Sequence, residues 1–476
     1  MSLRPGDPVI PSNQHFRSDS LGMRGAVLAA SFMLVMSAAA AAETPEWLLE
    51  GSLGIGMPTL ANPAGLRSAL WERGVKFQLN YIGEVQGNAS GGLARGVRAG
   101  GRLELVIDAD LEKGAGWTGG ALHVNAYQIH GTGLSRYNIG NLMPVSNIEA
   151  LPSTRLYEAW FEQKLLDGKI GVKVGQIGAD TEFVTSNYAG LFMNGTFGWP
   201  TLNASDLPSG GSAYPLATPG VRLGLYPTDN VTVLLGLFNG DPAGPGLGDP
   251  QNRNRAGLNF RVTDPAFMIG EAQYKYGDPK DPAGLSGVVK VGAWGHLGRF
   301  GDGRVGTDGL SLANQLSNGV AVSHRGNQGI YGVVDQQIYR LADDPTKGIG
   351  VFARVSGAPG DRNLVDFYAD AGINFTGLVP GRPDDAFGAA VAYTRIGRSF
   401  VGYDRDLAAL SGAPSRSSEA MLEVTYSAQI VPGWTVQPNF QYIVRPSGGV
   451  VDPQDPFGTR VLKNAAVLGL RTTLKY

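Results

Sequence analysis

The chain has 476 residues, 39 basic against 41 acidic side chains, a net charge of −2 and no cysteine. The missing cysteine excludes disulfides, thiolate metal sites and cysteine nucleophiles, and the balanced charge gives no field for nucleic acid or an anionic membrane surface. Seventy glycines with 9% aromatic and 17% charged residues suit many short strands joined by turns rather than disorder.

The N-terminus carries an address. In "MRGAVLAASFMLVMSAAAAAETPEW", Arg24 is a positive start, Gly25 to Met36 an apolar run, and Ala40 and Ala42 an A-x-A cleavage site before Glu43. This pattern predicts a signal peptide over 1–42, with residues 1–22 an upstream start-site overcall. An uncleaved anchor is the alternative, but the run falls short of the roughly 20 residues of a membrane span. Downstream no long apolar stretch occurs, which excludes a helical membrane protein.

Residues 43–75 read as a periplasmic segment holding one helix, "NPAGLRSALWERG" at 62–74, capped by Asn62, opened by Pro63 and ended by Gly74. No other helix stands out. From residue 76 the chain alternates strand and turn with no break in composition, so 76–476 reads as one domain. "KFQLNYIGEV" sets Phe77, Leu79, Tyr81 and Val85 against Gln78, Asn80 and Glu84. "RLELVIDADL" and "EAMLEVTYSAQI" alternate in the same way, and "LVDFYADAGINF" (364–375) sets Val365, Phe367, Ala369, Ala371, Ile373 and Phe375 against Asp366, Asp370 and Asn374.

The connections differ in length. "LLDGK" (165–169), "PTDN" (227–230), "TDPAF" (263–267) and "VPGW" (431–434) read as tight turns, whereas 131–153, 179–218, 298–328, 397–417 and 445–463 read as long loops. Short turns at one rim and long loops at the other mark an outer-membrane barrel. About seventeen strand-like segments can be counted. Single-chain bacterial barrels have an even number, so sixteen strands are expected, with eighteen the fallback, and the up–down order fails to close over 287–330. Periodicity cannot say which face meets lipid. Aromatics near strand ends (Tyr81, Phe161, Tyr274, Tyr276, Phe375, Tyr426, Tyr442) and the final strand "AVLGLRTTLKY" point the apolar faces outward. The fold class is therefore all-β, a transmembrane antiparallel barrel with a short N-terminal helix.

From "NPAGLRSALWERGVKFQLNYIGEVQGNASGG" to the C-terminus the chain resembles the carbohydrate-selective porins of the OprB type. The most specific stretches are "SNIEA", "LYEAWFEQ", "DGKIGVKVGQIGADTEF", "LNFRVTDPAFMIGEAQY", "GIYGVVDQQIYR" and "VFARVSGAPGDRNLVDFYADAGINFTGLVPGRPDD". The resemblance implies a sixteen-stranded outer-membrane barrel that passes sugars by facilitated diffusion. Tyr476 stands where phenylalanine is usual.

A sugar pore needs weak, exchangeable contacts: charged groups that offer paired bonds to hydroxyls and aromatic faces for the C–H side of a pyranose. The side chains with lumenal phase are Glu84, Arg102, Glu104, Asp108, His123, Glu158, Trp160, Glu162, Lys173, Arg222, Lys290, Trp294, Asp335, Arg354, Asp366 and Asp370. Opposite charges across a barrel also simply pair. Trp160, between Glu158 and Glu162, and Trp294 stand out as large aromatics on polar faces, and Trp160 is the expected stacking platform. The 180–220 loop, with Phe183, Tyr188, Phe192, Phe197, Trp199 and Tyr214, is too apolar for solvent and is expected to fold inward or against a neighbour.

"GDGRVG" (301–306) lacks the strand-then-helix context of a nucleotide loop. "NGDPAGPGLGD" and "GDGRVGTDG" could hold Ca²⁺, but such loops usually hold nothing. His123, His130, His296 and His324 lack metal-ligand spacing, so neither cofactor nor metal is expected. The expected partners are a carbohydrate and outer-membrane lipid, not nucleic acid, with the chain a monomer or homotrimer. A non-selective porin, a barrel lipase or deacylase, and a structural or adhesive barrel are the alternatives.

Overall fold

The structure, a computed structural model, describes residues 45–277 and 284–476. The expected signal peptide lies outside the described residues.

Sixteen strands form one closed barrel. In chain order β1 to β8 are Val75–Ser90, Gly96–Asp110, Gly120–Gly131, Ser153–Leu165, Ile170–Ile177, Thr218–Thr228, Val231–Phe238 and Phe267–Tyr276. β9 to β16 are Gly287–Gly306, Ala321–Arg340, Gly348–Gly357, Val365–Thr376, Ala386–Ile396, Ser418–Val431, Trp434–Val444 and Ala465–Lys475. Each strand pairs antiparallel with its sequence neighbours, and β1 closes on β16 through pairs such as Tyr81↔Leu474 and Val85↔Leu470. Closure leaves no unpaired sheet edge around the barrel's girdle, which lipid would penalise; the long β9–β10 hairpin extends past its outer neighbours.

The expected sixteen strands are present, and one of the seventeen strand-like segments is not a strand. "LNFRV" (258–262) forms no ladder and belongs to the 239–266 loop, so "TDPAF" is the end of that loop and not a tight turn. The 287–330 region resolves into two strands of 20 residues each, β9 and β10, so the loop expected over 298–328 shrinks to 307–320. The wall is correspondingly uneven, since β5 and β7 have 8 residues each.

The apolar faces point outward. Leu103, Leu105, Ile107, Val391, Leu422, Leu468 and Leu470 are exposed on the outer surface, while Glu419, Glu423, Gln441 and Arg471 on the alternate phase are buried inside. The alternation slips once in "LVDFYADAGINF". A register shift between Val365 and Phe367 turns Val365 inward, fully buried, and leaves Asp366 paired at 2.7 Å with the outward, exposed Arg395. Asp366 therefore stands apart from the lumenal Asp370.

The interior is not uniformly polar. The loop between β5 and β6 folds into the barrel and buries Phe183, Val184, Phe192, Met193, Phe197 and Leu202 against inward apolar residues of the wall, among them Phe238, Phe267, Trp294 and Phe352. Glycines make room for it. A Cβ on Gly350 would lie 2.0 Å from the Tyr188 ring, and one on Gly388 2.7 Å from Leu191.

At the rim where β1 begins and β16 ends, the expected 62–74 helix is shorter than its sequence suggests. Ala64 takes a left-handed conformation (φ 51°), so the helix runs only Leu66–Trp71. Asn62 still caps it, accepting from Arg67 N at 2.9 Å. Buried Arg67 lies 4.4 Å from the Phe77 ring centroid and 4.5 Å from that of Tyr476, which ties the helix to the first and last strands. The terminal tyrosine thus has a packing role. A second helix, Arg398–Ser411, was missed. Gly397 gives it no side-chain cap and Gly402 interrupts its interior, and it is held by ion pairs from other elements, Arg304–Asp406 and Arg416–Asp404.

Candidate functional site: the lumen

Antiparallel register brings the inward charges of β2 to β6 onto neighbouring positions. Asp108 lies opposite His123, His123 opposite Trp160, Glu162 opposite Lys173 and Lys173 opposite Arg222. The result is a row of polar and charged side chains along one side of the lumen, with the adjacent cations Lys173 and Arg222 bridged by Glu182. His123 Nδ1 lies 2.7 Å from Asp108. Arg222 donates to Glu162 at 2.9 Å and to Glu182 of the inward loop at 3.0 Å, and Lys173 also reaches Glu182. Glu158 accepts from Gly178 N at 2.8 Å. Beside this row, Arg102 sits 3.6 Å from Glu104 and 4.5 Å from the Tyr127 ring centroid, with Tyr214 beyond.

Trp160 is not a free platform. His123, from β3, stacks on its ring at 4.6 Å and 10°, and Lys173 Nζ, from β5, lies 3.8 Å from its centroid. These strands flank β4 on either side, so both indole faces are covered and only the edge remains. Trp294 is buried in the interior apolar cluster beside Phe267, also closed to solute.

The remaining candidates hold loops. Arg354 and Asp370 form an ion pair with both side chains 0% exposed, and Arg354 also donates to the carbonyls of Val184, Thr196 and Gly198. Asp335 accepts from Ser186 Oγ and Asn187 N, and Lys290 donates to Thr185 O at 2.7 Å. Glu84 pairs with Arg471, which also reaches Asn147 of the 132–152 loop.

Sequence reasoning missed the acids that complete this scheme. Glu271 accepts from Val184 N at 2.8 Å, Glu419 from Leu142 N and Met143 N, and Glu423 from Met193 N and Asn194 N. Their alternating phase was legible, since Glu419 and Glu423 lie opposite an apolar stripe. Their partners, more than 200 residues away, were not. A loop lying inside a barrel carries backbone N–H groups that need acceptors, and wall carboxylates supply them.

The lumenal charges divide by exposure. Those along β9 to β16 are consumed, and Glu84 on β1 and Glu158, Lys173 and Arg222 on β4 to β6 are buried as well, whereas Arg102 and Glu104 keep 15% exposure each, His123 14% and Asp108 45%. The lumenal charges open to solvent therefore lie on β2 and β3.

One loop carboxyl is imperfectly matched. Asp206 accepts from Val365 N at 3.1 Å through one oxygen, while the other is buried without a partner. Burial, reinforced by nearby Asp366, pushes its pKa well above the usual carboxylate range. An acid whose pKa rises on folding binds its proton more tightly when folded, so its contribution is present at low pH and is lost as pH rises toward the folded pKa. Wild-type stability should fall over that interval, and Asp206→Asn should flatten the decline, as read by urea unfolding across pH. Parallel profiles would rule out Asp206 as the source.

A closed sixteen-stranded barrel with a loop folded into a charged lumen is the architecture of a porin. The model of the OprB carbohydrate-selective porin family matches residues 94–476. The chain belongs to that family. It is 25% identical over 433 residues to Porin B of Pseudomonas aeruginosa, covering 87% of this chain and 90% of that protein. It is 24% identical to the putative porin QuiX of Acinetobacter baylyi, covering 82% and 88%. The high-pH structure of Pseudomonas putida OprB superposes with a TM-score of 0.76 at 25% identity, covering 87% of this chain and 97% of that one. Family and fold make this an outer-membrane protein and point to a channel rather than an enzyme.

Proposed function

We propose that the chain passes monosaccharides and other small carbohydrates by facilitated diffusion along an eccentric path on the β2–β3 side of the lumen, where Arg102, Glu104, Asp108 and His123 keep exposure. The observation that carries this is the row Asp108–His123–Trp160 and Glu162–Lys173–Arg222, whose polar groups are already partnered, His123 with Asp108, Arg222 with Glu162, and Lys173 and Arg222 with Glu182. A paired row attracts no ion strongly, yet offers donors and acceptors that hydroxyls can borrow and return. Arg102, Glu104, Asp108, His123, Glu158, Glu162, Lys173 and Arg222 are the proposed sugar contacts, with Trp160 as a wedge that spaces His123 from Lys173. Following the barrel rule, the long loops face outward, the rim where β1 begins and β16 ends faces the periplasm, and the 1–42 leader is cleaved.

Single-channel recording tests this reading. A panel of neutral hexoses should produce saturable current block in the millimolar range, about −4 kcal/mol. Glu162→Gln should weaken block about tenfold, ~1.4 kcal/mol, with small-ion conductance unchanged. Block that never saturates would indicate a non-selective porin, and no conductance would indicate a sealed barrel. Conductance appearing in single steps marks a monomer, and in coupled triplets a homotrimer.

A further inference from the structure

Outside the lumen, at the loop end of β13, lies a cleft of about 680 Å³ lined by Asp366, Tyr393, Arg395, Arg398, Val401 and Arg405, among others. We propose that it binds the phosphorylated headgroup of a lipid in the leaflet at the loop rim. It is separate from the sugar path, since Arg395 shares the outward phase of Val391 and Tyr393, and all three are exposed.

Three observations converge on this occupant. The first is charge. Three arginines meet one carboxylate, Asp366, which Arg395 already engages at 2.7 Å. The acids of the overlying Arg398–Ser411 helix are taken elsewhere, Asp404 by Arg416 and Asp406 by Arg304. Arg398 and Arg405 are exposed and have no ion-pair partner among the described residues. A planar guanidinium matches phosphate oxygens bidentately.

The second is placement on one face. Arg398, Val401 and Arg405 stand at i, i+3 and i+7, one stripe of the helix, and that stripe lines the cleft. The third is depth. Directly along the wall, Tyr393 and Phe367 pair with ring centroids 6.3 Å apart, and Arg395 lies 5.6 Å from the Phe367 centroid. Aromatics on a lipid-facing wall mark headgroup level, and basic pockets at that level select phosphate-bearing headgroups. Acyl chains would run down the apolar surface below, past exposed Val391 and Phe387.

The experiment measures lipid retention by native mass spectrometry of the full-length protein released from detergent micelles. The probe is bis-phosphorylated lipid A, compared with its phosphate-free derivative. Wild type should retain the phosphorylated form and lose the derivative by about tenfold, and Arg398→Gln/Arg405→Gln should show the same tenfold loss. Lys169→Gln, at the opposite rim, should retain lipid as wild type does. Excess inorganic phosphate should not displace the lipid. Equal retention by the double variant, equal retention of the phosphate-free form, or displacement by free phosphate would each overturn the proposal. Heat-modifiable gel mobility checks that the variants fold, and the single variant Arg405→Gln, at an exposed position, serves if the double variant does not.

Discussion

Asp370→Ala should destabilise the folded barrel interior by about 3–5 kcal/mol, the usual cost of orphaning one member of a buried ion pair. Arg354 would be left charged and fully buried, holding only the carbonyls of Val184, Thr196 and Gly198. Tyr368 Oη would also lose its nearer acceptor, now 2.6 Å away, and be left with Thr196 O at 3.2 Å. The inward loop would loosen, and conductance should become larger and noisy. Asp370→Arg, which a water-lined lumen would tolerate, should be worse still, because it sets two guanidinium groups in a closed site. Ala371→Arg, one residue on and exposed on the outer face, should fail differently. It costs roughly 2–4 kcal/mol at the bilayer midplane and impairs insertion without widening the pore. Urea unfolding in vesicles and single-channel recording separate the two. A quiet, wild-type conductance in Asp370→Ala would refute the anchoring role.

Glu423→Ala should produce the second large effect. Its carboxylate accepts from Met193 N at 2.6 Å, Asn194 N at 3.0 Å and Asn439 Nδ2 at 2.6 Å. Each buried donor left without an acceptor costs about 1–3 kcal/mol, so the 178–217 loop should lose its seat on β14. The expected readout is a conductance increase with weaker sugar block, because the loop bounds the path. Glu423→Gln retains one acceptor oxygen and should recover part of the wild-type behaviour. If Glu423→Ala and wild type conduct alike, the loop is held without Glu423, by its other anchors such as Arg354, Glu271 and Asp335 and by Phe192 and Phe197 against Phe352.

Local pattern and tertiary placement contributed differently to the candidate site. The lumenal phase of Arg102, Glu104, Asp108, His123, Glu158, Glu162, Lys173 and Arg222 follows from period two, because a strand cannot present successive side chains to the same side. Period two holds only while the ladder is regular. It fails at the register shift beside Asp366, and no residue in "LVDFYADAG" announces that shift. Trp160 shows the other limit. Its position on a polar face was visible, but the rings and amines that cover it come from β3 and β5, and register alone puts them there.

By itself the sequence determined the barrel class, the outward apolar face, the last strand and the family. Each rests on local periodicity, on aromatics placed near strand ends or on long motifs, which survive without knowledge of contacts. It also marked the 180–220 loop as too apolar for solvent. Only the tertiary structure decided the strand count, because "LNFRV" has strand composition but finds no partner, and pairing rather than propensity makes a strand. Only the tertiary structure separated the lumenal charges that face water from those that hold loops. Arg102 and Arg354 have the same residue type and the same phase. One stands beside the open path, and the other is sealed beneath a loop more than 100 residues away in the chain. Burial by a distant segment leaves no local trace, and it is burial that turns a sugar contact into an anchor.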